Sequence, residues 1–244
     1  MISHDPAFCF IDRLLDPAML RARAGSIDPG RTLEPEKYGW PGPAAPPPAA
    51  IPEDHGTTHL SVVDRWGNAV ACTETINLEF GSWVDGGGFC LNNQMDDFSV
   101  QPGVPNAFGL IGAEANAVGP GKRPLSSMTP TIVLQRGKPI IALGAAGGPK
   151  IISAVLQELI AMLDLGQSPT DAIAAPRIHQ QWSPDELMAE KALPAAVLAA
   201  LAERGHKVRE LNALSVSHIV ARSADGRSFV GAADPRAGGN AAGW

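Results

Sequence analysis

Residues 41–52 read Pro-Gly-Pro-Ala-Ala-Pro-Pro-Pro-Ala-Ala-Ile-Pro. Each proline fixes its φ and lacks the N–H that a helix interior or a strand ladder needs. The run is therefore expected as a semi-rigid, polyproline-II-prone connector. It divides the chain into a tail and linker, residues 1–56, and a folded unit, residues 57–244. Within the tail, Asp16-Pro17 can cap and start a short helix through Arg23, ended by Gly25, and Ile27-Asp28-Pro29-Gly30 reads as a turn.

Beyond the linker the pattern becomes β. Residues 58–64 and 68–76 alternate about Arg65-Trp66-Gly67-Asn68, which predicts a hairpin. A Gly-rich loop follows over 80–88, then a short strand over 88–92 and the polar run Asn92-Asn93-Gln94-Met95-Asp96-Asp97. Residues 99–124 make a polar stretch too long for an ordinary connector, which points to function. A second hairpin is expected from 131–135 and 139–143, and a last one from 215–222 and 228–232. Pro149 opens the best helix, with Ile151, Ile152, Val155, Leu156, Leu159, Ile160 and Leu163 on one broad apolar face. Shorter helices are expected from Ser168-Pro169 to Ala175 and over 193–204. Hairpins carrying helices predict a layered α/β (α+β) fold with mostly antiparallel sheets.

The totals exclude several classes of function. A net charge of −6 and no basic run longer than two residues argue against nucleic acid or an anionic membrane surface. No apolar run approaches a membrane span, and Met1-Ile2-Ser3-His4-Asp5 has no signal-peptide character, so the compartment is not specified. Cys9, Cys72 and Cys90 lack C-x-x-C spacing, so neither a disulfide framework nor a zinc site is expected. Cys72 and Cys90 read as buried small hydrophobes. Gly148-Pro149-Lys150-Ile151 breaks the P-loop ending, and no cofactor is expected.

Four features can carry chemistry. Gly56-Thr57 ahead of a strand suits a self-cleaving chain: the Thr57 hydroxyl attacks the Gly56 carbonyl, and the α-amine released by hydrolysis, with an ordinary pKa of about 7.7–8.0, serves as its base. Thr-Thr at a strand start equally reflects plain β-propensity. Thr75, on the returning strand, can hydrogen-bond Thr57 or simply form a cross-strand Thr–Thr pair. Gly147-Gly148 at a helix start is either an anion-binding oxyanion hole or a tight turn. The run 92–97 can hold an ammonium or be an acidic turn; as a strand it would send Asp96 and Asp97 to opposite faces. Ser126-Ser127 can donate hydroxyls to a carboxylate or cap a loop. His59 shares a face with Thr57 on a strand, and His59, His179 and His218 are read as structural or rim groups.

Together, residues 57–64, 92–98, 123–130, Gly147-Gly148 and Asp234-Pro235-Arg236 resemble the γ-glutamyltransferase family over all of 57–244. The resemblance implies an N-terminal-nucleophile (Ntn) hydrolase with an αββα sandwich, made by self-cleavage of a proenzyme between Gly56 and Thr57. It implies Thr57 as nucleophile with Thr75 in support, and Asn77, Gln94 and Asp97 around the α-amino group of a γ-glutamyl donor. Ser126 and Ser127 would hold the donor's carboxylate, and the Gly147 and Gly148 N–H groups would form the oxyanion hole. The implied donors are glutathione and other γ-glutamyl compounds, and the acceptors water or an amino acid or peptide amine. It also implies a partner: the family's large subunit supplies half of the sandwich, and residues 1–56 resemble only its C-terminal tail. The chain is thus expected to be incomplete without large-subunit material. Two other readings are a sibling acylase acting on glutaryl or cephalosporin-type amides, and a non-catalytic remnant serving as an orphan subunit.

Overall fold

The structure, a computed structural model, describes residues 15–34 and 56–244. The Pro-rich run 41–52, Cys9 and the first five residues lie outside the described residues. Helix α1 (Pro17–Gly25) starts where the sequence places it, with the Asp16 carboxylate accepting from the Ala18 N–H at 3.1 Å. The segment after it ties back to the distant end of the chain, Thr32 N–H donating to the Arg204 carbonyl at 2.7 Å.

Strands β1 (Thr57–Val63) and β2 (Ala69–Thr75) pair antiparallel, Thr57 opposite Thr75 and Val63 opposite Ala69. The Asp64 carboxylate fixes the turn by accepting the N–H groups of Trp66 and Asn68 at 2.9 and 2.8 Å. Strands β3 (Thr131–Gln135) and β4 (Lys138–Ala146) form the second hairpin. Further along the chain, β8 (Val216–Arg222) and β9 (Phe229–Ala233) extend it to an antiparallel sheet of order β3-β4-β8-β9.

Alternation along β4 decides what lies on each face of that sheet. Ile141, Leu143 and Ala145 join Ile219 and Ala221 of β8 in a core against helices α2 (Lys150–Leu163) and α3 (Pro169–Ala174), through Ile151, Ala154, Val155 and Ile173. Gly144 points the other way, beneath the β1–β2 hairpin. A Cβ there would sit 2.3–2.9 Å from three atoms of the His59 ring, so only glycine lets the hairpin lie this close. The result is a helix–sheet–hairpin stack of three layers. The far face of the hairpin leaves Leu60, Val62 and Val70 about half exposed, as are Ile152, Leu156, Ile160 and Leu163 on the far side of α2.

A third sheet goes beyond the sequence expectation. It joins β5 (Ile178–His179) antiparallel to β6 (Leu187–Glu190), and β6 in parallel to β7 (Val208–Leu211), with α4 (Ala195–Glu203) as the crossover. All four residues of β6 are buried, so its sequence shows no alternation to read. Gln94–Asp97 is a 3₁₀ turn, the turn alternative of the sequence reading. Two local expectations change. Residues 88–92 contribute only the single Asp85–Cys90 bridge rather than a strand. Cys72 is half-buried and Cys90 exposed, because the hairpin face and glycine-rich loop that carry them are uncovered.

Candidate active site

The β1–β2 register brings the hydroxyl oxygens of Thr57 and Thr75 to 3.0 Å. Thr75 Oγ1 also donates to the Gly56 carbonyl oxygen at 3.0 Å and accepts the Asn77 N–H at 2.8 Å. A hydroxyl has one proton, and the Gly56 carbonyl takes it, so Thr57 is the donor in the Thr57–Thr75 contact. That assignment places the Thr57 hydroxyl proton on the Thr75 side. The same carbonyl accepts the Ile76 N–H at 3.3 Å, so two donors polarise it.

Asn77 lies just past β2, is buried, and adopts a positive φ of 78°. Its Nδ2 donates to the Asn93 carbonyl at 3.2 Å, and Asn93 Oδ1 accepts the Leu78 N–H at 3.1 Å. These bonds pin the 92–97 run beside the end of β2. The 3₁₀ turn places the Gln94 amide against the Asp97 carboxylate, both at the cavity wall. Asp96 leaves the cavity instead, accepting the Ala107 N–H at 3.0 Å. Buried Asn116 links two parts of the site: its Nδ2 donates to the Asp97 carbonyl at 2.8 Å, and its Oδ1 accepts the Leu125 N–H at 3.0 Å, next to Ser126.

Gly147 and Gly148, with φ of 141° and 57°, turn the chain from β4 into α2. The 14 residues of α2 direct a positive helix end at this point. Behind Gly147 lies the 214–215 backbone; a Cβ on Gly147 would meet Ser215 and the Leu214 carbonyl at 3.0–3.1 Å. That backbone is held by charge. Arg177 donates to the carbonyl and hydroxyl of Ser215 at 2.9 and 3.0 Å, and Glu190 accepts the Leu214 N–H at 2.9 Å. Arg177 also pairs with Glu158 at 2.7 Å and Asp234 at 2.9 Å, and Arg236 bridges Glu190 and Asp234. Burial pushes the Glu158 carboxyl up to about 7, with Arg177 acting against it. Burial opposes ionisation of Asp234 too, but Arg177 and the Arg236 and Ser217 N–H groups hold it below the usual carboxylate range.

One cavity therefore gathers Thr57, Thr75, Asn77, Gln94, Asp97, Ser126, Ser127 and Gly148. Gly147, next to Gly148 in the corner, and Gly56, next to Thr57, are not among its lining residues. His59 faces inward as β1 alternation requires, yet both ring nitrogens are engaged away from Thr57, with Thr73 Oγ1 at 2.7 Å and Ser61 Oγ at 2.9 Å.

The sequence matches the Gamma-glutamyltranspeptidase family over residues 3–244. The chain belongs to that family. It is 44% identical over 236 residues to the glutathione hydrolase proenzyme of Escherichia coli (strain K12), covering 95% of this chain and 40% of that protein. The chain thus spans about two-fifths of the length of the curated relatives it matches. A crystal structure of Helicobacter pylori γ-glutamyltranspeptidase superposes with a TM-score of 0.70 at 46% identity, over 74% of this chain and 100% of that one. The Pseudomonas nitroreducens γ-glutamyltranspeptidase complexed with L-DON gives 0.72 at 38% identity, over 77% of this chain and 99% of that one. The mixed α+β architecture with antiparallel sheets is that of these Ntn hydrolases.

Sequence reasoning passes over four groups that shape the site of this γ-glutamyltranspeptidase-family chain. Asn116 and Phe108 sit within the long 99–124 stretch, where the length signal points but no motif names a residue. Arg177 is a lone charge between Ala175-Pro176 and Ile178, which is the available signal for it, whereas Glu190 sits beside Lys191 and carries none. Among the described residues no helix is long and apolar enough to cross a membrane.

Proposed function

We propose that this chain is the catalytic portion, residues 57–244 behind a tail of residues 1–56, of a γ-glutamyltransferase (glutathione hydrolase). Self-cleavage comes first. Thr57 Oγ1 attacks the Gly56 carbonyl carbon, Thr75 and the Ile76 N–H stabilise the developing oxyanion, and the C–N bond breaks as the Thr57 nitrogen takes up the hydroxyl proton and leaves as an amine. Water then cleaves the resulting ester, giving a Gly56 carboxylate and a free Thr57 amine.

In the mature site that amine takes the Thr57 hydroxyl proton as the oxygen attacks the γ-carbonyl of glutathione or another γ-glutamyl compound. The Gly147 and Gly148 N–H groups hold the tetrahedral oxyanion, a task in which one donor is worth about 2.7–4 kcal/mol. The proton passes to the departing amine, leaving a γ-glutamyl ester on Thr57. Water or the amine of an amino acid or peptide then resolves it. Asn77, Gln94 and Asp97 bind the donor's ammonium, and Ser126 and Ser127 its α-carboxylate.

The observation that carries this reading is the convergence of Thr57, its Thr75 partner, the Gln94–Asp97 pair and the Gly148 turn on one cavity. The half-exposed apolar faces of the hairpin and of α2 support a large-subunit partner that completes the sandwich.

Mass spectrometry of the chain expressed with its large subunit tests the reading. Scission before Thr57, then turnover of a γ-glutamyl anilide but not of a glutaryl anilide, is expected. An uncleaved, inert assembly overturns it, and a preference for the glutaryl anilide reassigns it to the acylases.

A further inference from the structure

Phe108 is 5% exposed and lines the Thr57 cavity, although it sits on a long loop that forms no named sheet. Something outside the loop must hold it there. Locally, Asn106 Oδ1 accepts the N–H groups of Phe108 and Leu110, both at 3.0 Å, which makes a tight turn but does not anchor it. Two side chains from outside the turn tether the backbone at this point. Asp96 accepts the Ala107 N–H at 3.0 Å, and Gln181 Nε2 donates to the Phe108 carbonyl at 3.3 Å.

We infer that Gln181 is a positioning residue that holds the Phe108 wall of the cavity, with His179 fixing which way its amide faces. The inference rests on the catalytic reading of the cavity given above.

The hydrogen bonds dictate the orientation. Gln181 Nε2 faces two carbonyls, Phe108 and Ser183, the latter at 3.2 Å, and carbonyls only accept. Its Oε1 must then be the acceptor from His179 Nε2 at 2.9 Å. A neutral imidazole protonated at Nε2 accepts at Nδ1, and Ser153 Oγ lies there at 2.7 Å to donate. Burial, with the charge of Lys150, holds the His179 pKa below its ordinary value despite the Gln181 bond, which keeps the ring in this neutral form. Ser153 lies one turn into α2 from the Gly148 corner. The chain Ser153–His179–Gln181–Phe108 therefore ties the first turn of α2 to the Phe108 wall of the cavity.

Phe108 offers a bound donor an apolar surface, with no group for the proton transfers at Thr57. Loss of its anchor should weaken donor binding and spare the chemical step.

The test uses processed enzyme, assembled with its large subunit, and a γ-glutamyl anilide. Gln181→Leu is expected to raise KM at least fivefold with kcat within twofold of the unaltered enzyme. Phe108→Ala should raise KM at least as far, and the double variant should match Phe108→Ala alone, because Gln181 acts only through that residue. An unchanged KM in Gln181→Leu, or single effects that multiply in the double variant, overturns the inference.

Gln181→Glu gives an independent arm should Gln181→Leu not accumulate as folded protein. An ionised carboxylate faces carbonyls it cannot bond, whereas the protonated acid can donate to one. KM of Gln181→Glu, relative to the unaltered enzyme at each pH, should therefore fall as pH is lowered, and a ratio flat with pH overturns the proposal. Failure of the catalytic reading itself would appear elsewhere, as an unaltered enzyme that is neither cleaved before Thr57 nor acylated on it.

Discussion

The hydroxyl of Thr75 lies 3.0 Å from that of Thr57 and donates its own proton to the Gly56 carbonyl, also at 3.0 Å. One side chain thus orients the attacking oxygen and polarises the carbonyl it would attack. Removing it without changing shape should slow self-cleavage: Thr75→Val is expected to process about 100-fold more slowly, the usual cost of one oxyanion donor. Thr75→Ser, which keeps the hydroxyl, should stay within about tenfold of the unaltered rate on the same ground. The time course of precursor and product on denaturing gels measures both.

The Gly147 corner should tolerate no side chain. Its φ is 141°, and a methyl group there would sit 3.0–3.1 Å from Ser215 atoms, so Gly147→Ala has to displace either the turn or the 214–215 backbone. A cost of about 1–3 kcal/mol is expected, together with slower acylation, since any shift carries the Gly148 N–H away from the cavity. Thermal unfolding and a burst-phase measurement on the assembled enzyme test the two parts separately.

Arg177 makes hydrogen bonds to Ser215, Glu158, Asp234 and the Ile173 carbonyl at 2.7–3.0 Å, and is 2% exposed. Arg177→Met leaves two buried carboxylates without it, and should cost about 3–5 kcal/mol. Arg177→Lys should recover little, because an ammonium cannot reproduce the planar fork that reaches four partners. Urea midpoints measured at low and high salt should move equally, since buried pairs escape screening.

The legible parts of this molecule are those with local signals. The hairpins at 57–75 and 131–146 and helix α2 carry strong periodicity or turn chemistry, and the structure has them at those places. The cavity residues are legible through motifs, and the register Thr57↔Thr75 follows from a short turn between alternating strands. What stays hidden depends on contacts distant in sequence. Strand β6 is buried on both sides and shows no alternation. Its neighbour β7 joins it in parallel across helix α4, which the sequence does signal over 193–204, but the pairing of the two strands leaves no local pattern. Asp96 looks equivalent to Asp97 in sequence, and only the 3₁₀ turn sends one to the cavity and the other to Ala107. Half the apolar face of α2 is exposed, because hydrophobic periodicity reports that a face is to be covered and not which chain covers it.

Buried histidine gives this fold a pH dependence of determinate sign. His59 lies between the hairpin and the four-stranded sheet, and burial, then the charge of His218, lowers its pKa from 6.5 to about 4. In the unfolded chain the ring takes up a proton near 6.5, whereas the folded form resists until about 4. Stability is therefore fully present above pH 6.5 and lost as pH falls toward 4, by roughly 3 kcal/mol in all. Glu158 works in the opposite direction over an overlapping window. Its carboxyl, raised from 4.5 to about 7, favours the folded state at low pH, and that contribution fades as pH climbs through 7. The two are separated by comparing the unaltered chain with His59→Gln, in which the Glu158 contribution cancels. The difference in unfolding free energy between them should shift steadily in the variant's favour from pH 6.5 to 4. A difference that is constant across that window would mean that His59 is protonated in the folded protein, and that its bonds to Thr73 and Ser61 do not hold a neutral ring.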